Sequence, residues 1–140
     1  MNHDNKKLVQ AFCDRLWNEG DLSVMNNLLS HDLSFRGALG LTKKGHAEFI
    51  DYMKFVKSAF PDFHTTISEM VAENNKVMAH FIYRGTHRGE LFGIPPSGKK
   101  VEYSSIVIFD IEDHKISRVF ALGDMWGLMK QIATVTITGK

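Results

Sequence analysis

The stretch KKVEYSSIVIFDIEDHKISRVFALG, Lys99 to Gly123, decides the fold. Its two halves, Lys99 to Asp110 and Lys115 to Gly123, are rich in β-branched and aromatic side chains, and Glu112-Asp113-His114 between them carries turn residues. That composition predicts two long strands joined as a hairpin. Upstream, His64 to Val71 and Lys76 to Thr86 read the same way, with turns at Glu73-Asn74-Asn75 and across Gly93 to Gly98. The second half of the chain is therefore expected to be a meander of strands.

The first half has a different period. Leu8, Val9, Phe12, Leu16 and Trp17 recur at helical spacing from Lys6 onward, and Asn18-Glu19-Gly20 stops the pattern. Asp21 can cap a short second helix carrying Leu22, Met25, Leu28 and Leu29, after which His31 to Phe35 reads as extended. A third helix is expected from Thr42 or Lys43, with Phe49, Ile50, Met53 and Val56 over several turns, ending before Phe60-Pro61-Asp62. Met125 to Ile132 predicts a last short helix, and Ala133 to Lys140 a polar, loosely held tail. Helices first and strands afterwards predict an α+β fold: a strongly curved antiparallel sheet wrapped as a cone around about three N-terminal helices, enclosing an apolar pocket.

With 140 residues and no proline-rich or serine-rich divider, residues 1–140 read as one domain. Hydrophobic residues at 44% and charged residues at 24% suit a chain that buries a core. The 17 basic and 16 acidic side chains are scattered, so no basic stripe tracks a phosphate backbone and nucleic acid is not an expected partner. The polar start of the chain and the absence of a long apolar run predict neither a signal peptide nor a membrane span, hence a cytoplasmic protein. The single cysteine, Cys13, lies in a helical pattern beside Phe12 and Leu16 and reads as a buried structural thiol.

The seven histidines lack the close spacings of local chelation, so no metal is expected. No G-x-S-x-G, P-loop or G-x-G-x-x-G occurs, and no nucleotide cofactor is implied. By the two-residue period of a strand, Ile116, Arg118, Phe120, Leu122 and Asp124 share a face. A carboxylate among apolar neighbours loses hydration, which suits it to moving protons. Asp124 also precedes the last helix, where Asp commonly caps backbone N–H groups, so two roles are open. His80 falls in phase with Met78, Ile82 and Arg84 and is a candidate acid, base or donor facing the cavity, with an ordinary hydrogen-bonded histidine as the alternative. His87 sits in Gly85-Thr86-His87-Arg88-Gly89, where a turn explains it adequately. Expected pocket-lining residues are Phe120, Leu122, Ile82, Arg84, Trp17, Phe49 and Met53.

The run from Arg84-Gly85-Thr86-His87 through Leu91-Phe92-Gly93-Ile94-Pro95-Pro96-Ser97-Gly98-Lys99, followed by Lys115-Ile116 and by Asp124 with Gly127-Leu128-Met129, resembles the SnoaL-like polyketide cyclases. Trp17-Asn18-Glu19-Gly20-Asp21 and Phe60-Pro61-Asp62 fit the same pattern, in the same order. The resemblance implies an NTF2-like cone, usually a dimer through the sheet, and closure of a polyketide ring by an intramolecular aldol condensation without metal or organic cofactor. It implies Asp124 as the acid and base, favouring the pocket over the cap; the first reading is then an enzyme acting on a hydrophobic small carbonyl compound, with His80 or His87 as an electrostatic partner of Asp124. Phe120 stands where the family commonly has tryptophan, and Ile106, Val107, Ile108 and Phe109 where the characterised cyclases place polar cavity residues. A non-catalytic small-molecule-binding protein is the alternative, and an epoxide hydrolase or steroid isomerase ranks after it.

Overall fold

The computed structural model describes residues 2–133; the expected tail beyond Ala133 lies outside them. Helix α1, Asn2–Ala11, runs directly into a wider π-helical winding over Phe12–Asn18, and its buried side carries Val9, Phe12, Cys13, Leu16 and Trp17. It starts earlier than the apolar pattern at Lys6, because a helix can extend through polar residues that need no burial. Asp21 caps as expected, accepting the Ser23 N–H at 3.1 Å before a short turn over Leu22–Val24 and helix α2, Met25–Leu28. Strand β1, Leu29–Arg36, follows.

The third helix does not begin at Thr42 or Lys43. Thr42–Lys44 is a short strand, β2, pairing antiparallel with β1, and helix α3 is Gly45–Ala59. Edge pairing satisfies the backbone of a β-branched threonine that the helical pattern alone assigned to a helix. Strands β3 (His64–Glu73), β4 (Lys76–Thr86), β5 (Lys100–Glu112) and β6 (Lys115–Gly123) form the expected antiparallel meander, and helix α4, Met125–Ile132, comes last. The sheet order is β2-β1-β6-β5-β4-β3, and β1 joins β6 in parallel, a pairing that a meander does not foretell. The fold is thus mixed α+β, with helices laid against a curved six-stranded sheet.

The strand phase corrects the sequence reading. On β4 the buried side chains are Val77, Ala79, Phe81 and Tyr83, so His80, Ile82 and Arg84 lie on the opposite face. On β6 the pairs Asp110–Arg118 and Ile111–Ile116 leave Ser117 as an extra residue, a bulge. One extra residue inverts every side chain beyond it. Ile116 therefore points into the core, but Val119 and Ala121 replace Phe120 and Leu122 as the inward pair.

The first helix is tied to the sheet at Thr65 of β3. Asn18 accepts the Thr65 N–H at 2.9 Å and donates to the Thr65 carbonyl at 2.8 Å, and the Cys13 thiol donates to the same carbonyl at 3.4 Å. Burial pushes that thiol up to about 12, so Cys13 is a neutral, packed group. Asn18→Ala leaves a partly buried amide N–H without its acceptor. It is expected to lower the unfolding free energy by about 2 kcal/mol, read as a shift of the urea midpoint at constant slope; an unchanged midpoint would refute this anchor.

Candidate functional site

Between the helices and the concave face of the sheet lies an aromatic pocket. Phe12 and Trp17 come from the first helix, Phe35 from β1, Ala38 from the loop after it, and Tyr52 and Val56 from α3. The sheet contributes Phe81 and Tyr83 of β4, Tyr103, Val107 and Phe109 of β5, and Val119 and Ala121 of β6, with Phe63 closing one side. Alternation explains the membership: Phe81-Tyr83 and Tyr103-Val107-Phe109 are odd-numbered residues of their strands and so face one way. The space left inside is about 30 Å³.

The chain's three tyrosines, Tyr52, Tyr83 and Tyr103, all belong to this lining. Tyr83 Oη and Ser105 Oγ are 2.6 Å apart, and the Tyr52 hydroxyl accepts the Leu39 N–H at 3.2 Å. The Tyr83 and Tyr103 rings are 4.9 Å apart. Burial pushes the Tyr52 phenol up to about 12 and holds Tyr83 and Tyr103 well above the ordinary phenol value. At neutral pH the pocket thus holds phenols rather than phenolates. A phenol hydroxyl in a dry, apolar site can donate to a carbonyl or enolate oxygen. The expected pocket residues include none of the three tyrosines, although the alternation that reveals Tyr83 and Tyr103 is present in β4 and β5.

Asp124 is elsewhere. It is exposed at the N-cap of α4, where its carboxylate accepts the Gly127 N–H at 2.9 Å. It is not a lining residue, so the capping role is the one its geometry displays. The preceding residue, Gly123, abuts the backbone carbonyl of the lining residue Ala38, so Asp124 is one residue from a contact with the pocket wall.

The remaining expected residues divide by face. Trp17 lines the pocket; Phe49 and Met53 are buried but lie behind the wall, Phe49 packing on Phe12, Trp17 and Phe35 at 5.8, 5.9 and 4.9 Å. Ile82, Phe120 and Leu122 are on the outer face of the sheet, where the Arg36 and Arg118 guanidiniums lie over the Phe120 ring at 5.2 and 5.4 Å. Arg84 is there too, paired with Glu102 at 2.9 Å, and His80 stands opposite Ile106 rather than inside the cavity. The β6 bulge turns Phe120 and Leu122 outward, while His80, Ile82 and Arg84 lie on the outward set of a regular β4, and none of the five reaches the pocket.

His87 is fully buried, yet it holds a loop rather than facing the pocket. Its Nδ1 accepts the Ser97 N–H at 3.1 Å and lies 2.9 Å from Ser97 Oγ, while its backbone pairs with Lys99 and Gly98. Nearby, Asp62 accepts from the Thr86 N–H and hydroxyl, both at 2.7 Å, which keeps its carboxyl below the usual range. The Phe60-Pro61-Asp62 and Thr86-His87 motifs thus fasten one end of the cone. Among the described residues no three His, Cys, Asp or Glu side chains converge as a metal site, and no helix is long and apolar enough to cross a membrane.

The buried phenols make stability depend on alkaline pH. A tyrosine ionises near pH 10 in the unfolded chain, so phenols held above that value contribute stability that is fully present below about pH 10 and lost as pH rises through about 12 for Tyr52. Phenolate absorbance is expected to stay low in the folded protein past about pH 10 and to appear together with the loss of near-ultraviolet dichroism. Titration of the tyrosines in the folded protein at the ordinary value would contradict the burial described.

A sequence model of SnoaL-like polyketide cyclases matches residues 7–132. No curated protein matches the chain. Among solved structures, a Jannaschia sp. CCS1 protein assigned as a SnoaL-like polyketide cyclase aligns at a TM-score of 0.86 and 18% identity, covering 96% of this chain and 95% of that one. TsrD from Streptomyces laurentii aligns at 0.83 and 24% identity, covering 95% and 97%. A SnoaL-like polyketide cyclase from Agrobacterium tumefaciens C58 aligns at 0.79 and 18% identity, covering 92% and 98%. At these identities the structures speak for the fold, and the sequence match over residues 7–132 speaks for the family: the chain belongs to the SnoaL-like polyketide cyclases.

Proposed function

We propose that this protein takes a hydrophobic carbonyl compound into the aromatic pocket and closes a ring on it by acid/base chemistry, without metal or organic cofactor, as an intramolecular aldol condensation. The observation that carries the reading is the enclosed aromatic lining whose polar groups are neutral phenols. Asp124, one residue from the wall contact, is the acid and base. Its carboxylate removes a proton from a carbon next to a carbonyl, and a phenol hydroxyl donates to the enolate oxygen. The enolate carbon bonds to a second carbonyl carbon of the same molecule, and the protonated Asp124 returns its proton to the alkoxide. The β-hydroxy carbonyl product formed by this addition, with no loss of water, is an isomer of the substrate, so no further reactant is needed.

Asp124→Asn separates the two roles of this residue, because Asn caps a helix about as well as Asp. The variant is expected to keep its thermal midpoint and to lose turnover of a β-keto ester bearing a second carbonyl by about a hundredfold or more. Undiminished turnover would remove Asp124 from the chemistry. One observation favours a second reading, a non-catalytic binding protein: the lining residues contain no carboxylate or imidazole. That reading expects the same compounds to raise the thermal midpoint and to be recovered unchanged.

A second copy of the chain covers the outer face of the sheet in this proposal. Met78, Ile106 and Leu122 are 44%, 47% and 63% exposed there, and Ile106 pairs directly with Leu122 across the strands. Adjacent exposed apolar side chains on a broad sheet face suit a self-complementary interface. Light scattering is expected to report a dimer for the native chain and a monomer for Ile106→Asp with Leu122→Lys; a monomeric native chain would dismiss the interface.

A further inference from the structure

Free space of about 30 Å³ holds about two water molecules, so any carbonyl compound must displace a wall. Most of that wall is helix or paired strand. Phe63 lies outside both, but it is wedged between the Trp17 and Tyr83 rings at 5.3 and 5.6 Å. Residues 37–41, which join β1 to β2, are different. They form a turn closed on itself, with Gly37 N–H to the Leu41 carbonyl and Gly40 N–H to the Gly37 carbonyl, both at 3.0 Å. A unit tied internally can move as one piece.

The turn is seated in the body of the protein: Ala38 and Leu39 are buried and Leu41 packs against the core. Ala38 forms part of the pocket wall. Its carbonyl oxygen lies so close to β6 that a Cβ on Gly123 would stand 2.2 Å from it. Gly37 packs against the Tyr52 ring just as closely, a Cβ there standing 2.2 Å from the ring and its hydroxyl, and the Leu39 N–H donates to that hydroxyl at 3.2 Å. Both contacts depend on glycine having no side chain, and the Leu39–Tyr52 hydrogen bond lies at the long end of the ordinary range.

We propose that residues 37–41 are the gate of the pocket and that Tyr52 is its latch, a positioning residue that sets which ligands enter. The proposal rests on the reading that the pocket is the ligand site. Swinging the turn outward lifts Ala38 from Gly123 and opens the pocket along the end of β6, beside Asp124. Release of the Leu39 N–H also frees the Tyr52 hydroxyl to face a ligand oxygen. The gate thus connects two groups that the closed form keeps apart, a carboxylate beside the wall contact and phenols within.

The test uses the whole chain with Trp126→Phe, which leaves Trp17, on the pocket wall, as the sole tryptophan. The probe is 6-propionyl-2-(dimethylamino)naphthalene, a flat apolar ketone, and its entry is followed by quenching of Trp17 in stopped flow. Adding Tyr52→Phe keeps the ring and removes the latch; loss of one hydrogen bond is expected to raise the association rate about fivefold. Hydrogen exchange at the Leu39 amide is expected to quicken by about the same factor, with the Val107 amide unchanged. Gly123→Ala, which forces Ala38 away from β6, is expected to act in the same direction and serves if the tyrosine variant folds poorly. Uptake by these variants at the native rate, with Leu39 exchange unchanged, overturns the gate while leaving the pocket. Failure of every form to quench on addition of the probe overturns the pocket as ligand site, and the gate with it.

Discussion

The structure depends on one contact, the seating of Trp17 among three rings from two other segments. Trp17 meets Phe49 and Tyr52 of α3 edge-on at 5.9 and 6.0 Å and Phe63 at 5.3 Å. Edge-to-face packing of this kind contributes about 0.5–1.5 kcal/mol per pair beyond the burial itself. It also sets the distance of the first helix from α3, and so the width of the space over the sheet. Because flat rings meet at steep angles, they enclose a gap that aliphatic side chains would have filled, and the pocket is that gap.

The chemistry of the site follows from the same burial. Removal from water keeps the Tyr52, Tyr83 and Tyr103 phenols of the lining protonated. A carboxylate in the same position would have been far more costly to bury without a cation. Asp124 instead sits one residue beyond β6 and is satisfied by the first turn of α4. Neutral hydroxyls inside and a carboxylate outside are therefore a division consistent with desolvation. The family's most conspicuous motifs stand apart from it: Asp62 holds Thr86, and His87 holds the loop through Ser97, so they preserve the shape of the cone end rather than touch the pocket.

Much of the architecture was legible in the sequence. Helical spacing located the first helix, Asp21 marked the cap of the short helical segment after it, and the bounds of β4 and β6 were read correctly from β-branched and aromatic runs flanked by turns. Thr42–Lys44 was misread because an edge strand of three residues is too short to show a period. The site was less legible. Taking Ile116 as an inward residue was correct, but extending that phase to Phe120 and Leu122 failed at Ser117, since a bulge leaves no mark in a period-two pattern. On β4 the partly apolar set His80-Ile82 competed with the set Phe81-Tyr83, and a sheet with apolar side chains on both faces does not announce which face is the inner one.

By itself, the sequence determined the class of fold, the order of its elements and the family, because these rest on local periodicity, capping and motifs carried by neighbouring residues. The tertiary structure alone decided which face of the sheet is concave, that β1 joins β6 in parallel, and that the three tyrosines meet while Asp124 remains outside. These depend on register and on contacts between residues far apart in the chain. Such contacts follow from how bulges bend the sheet and how rings pack across it, and neither is encoded in the spacing along any single strand.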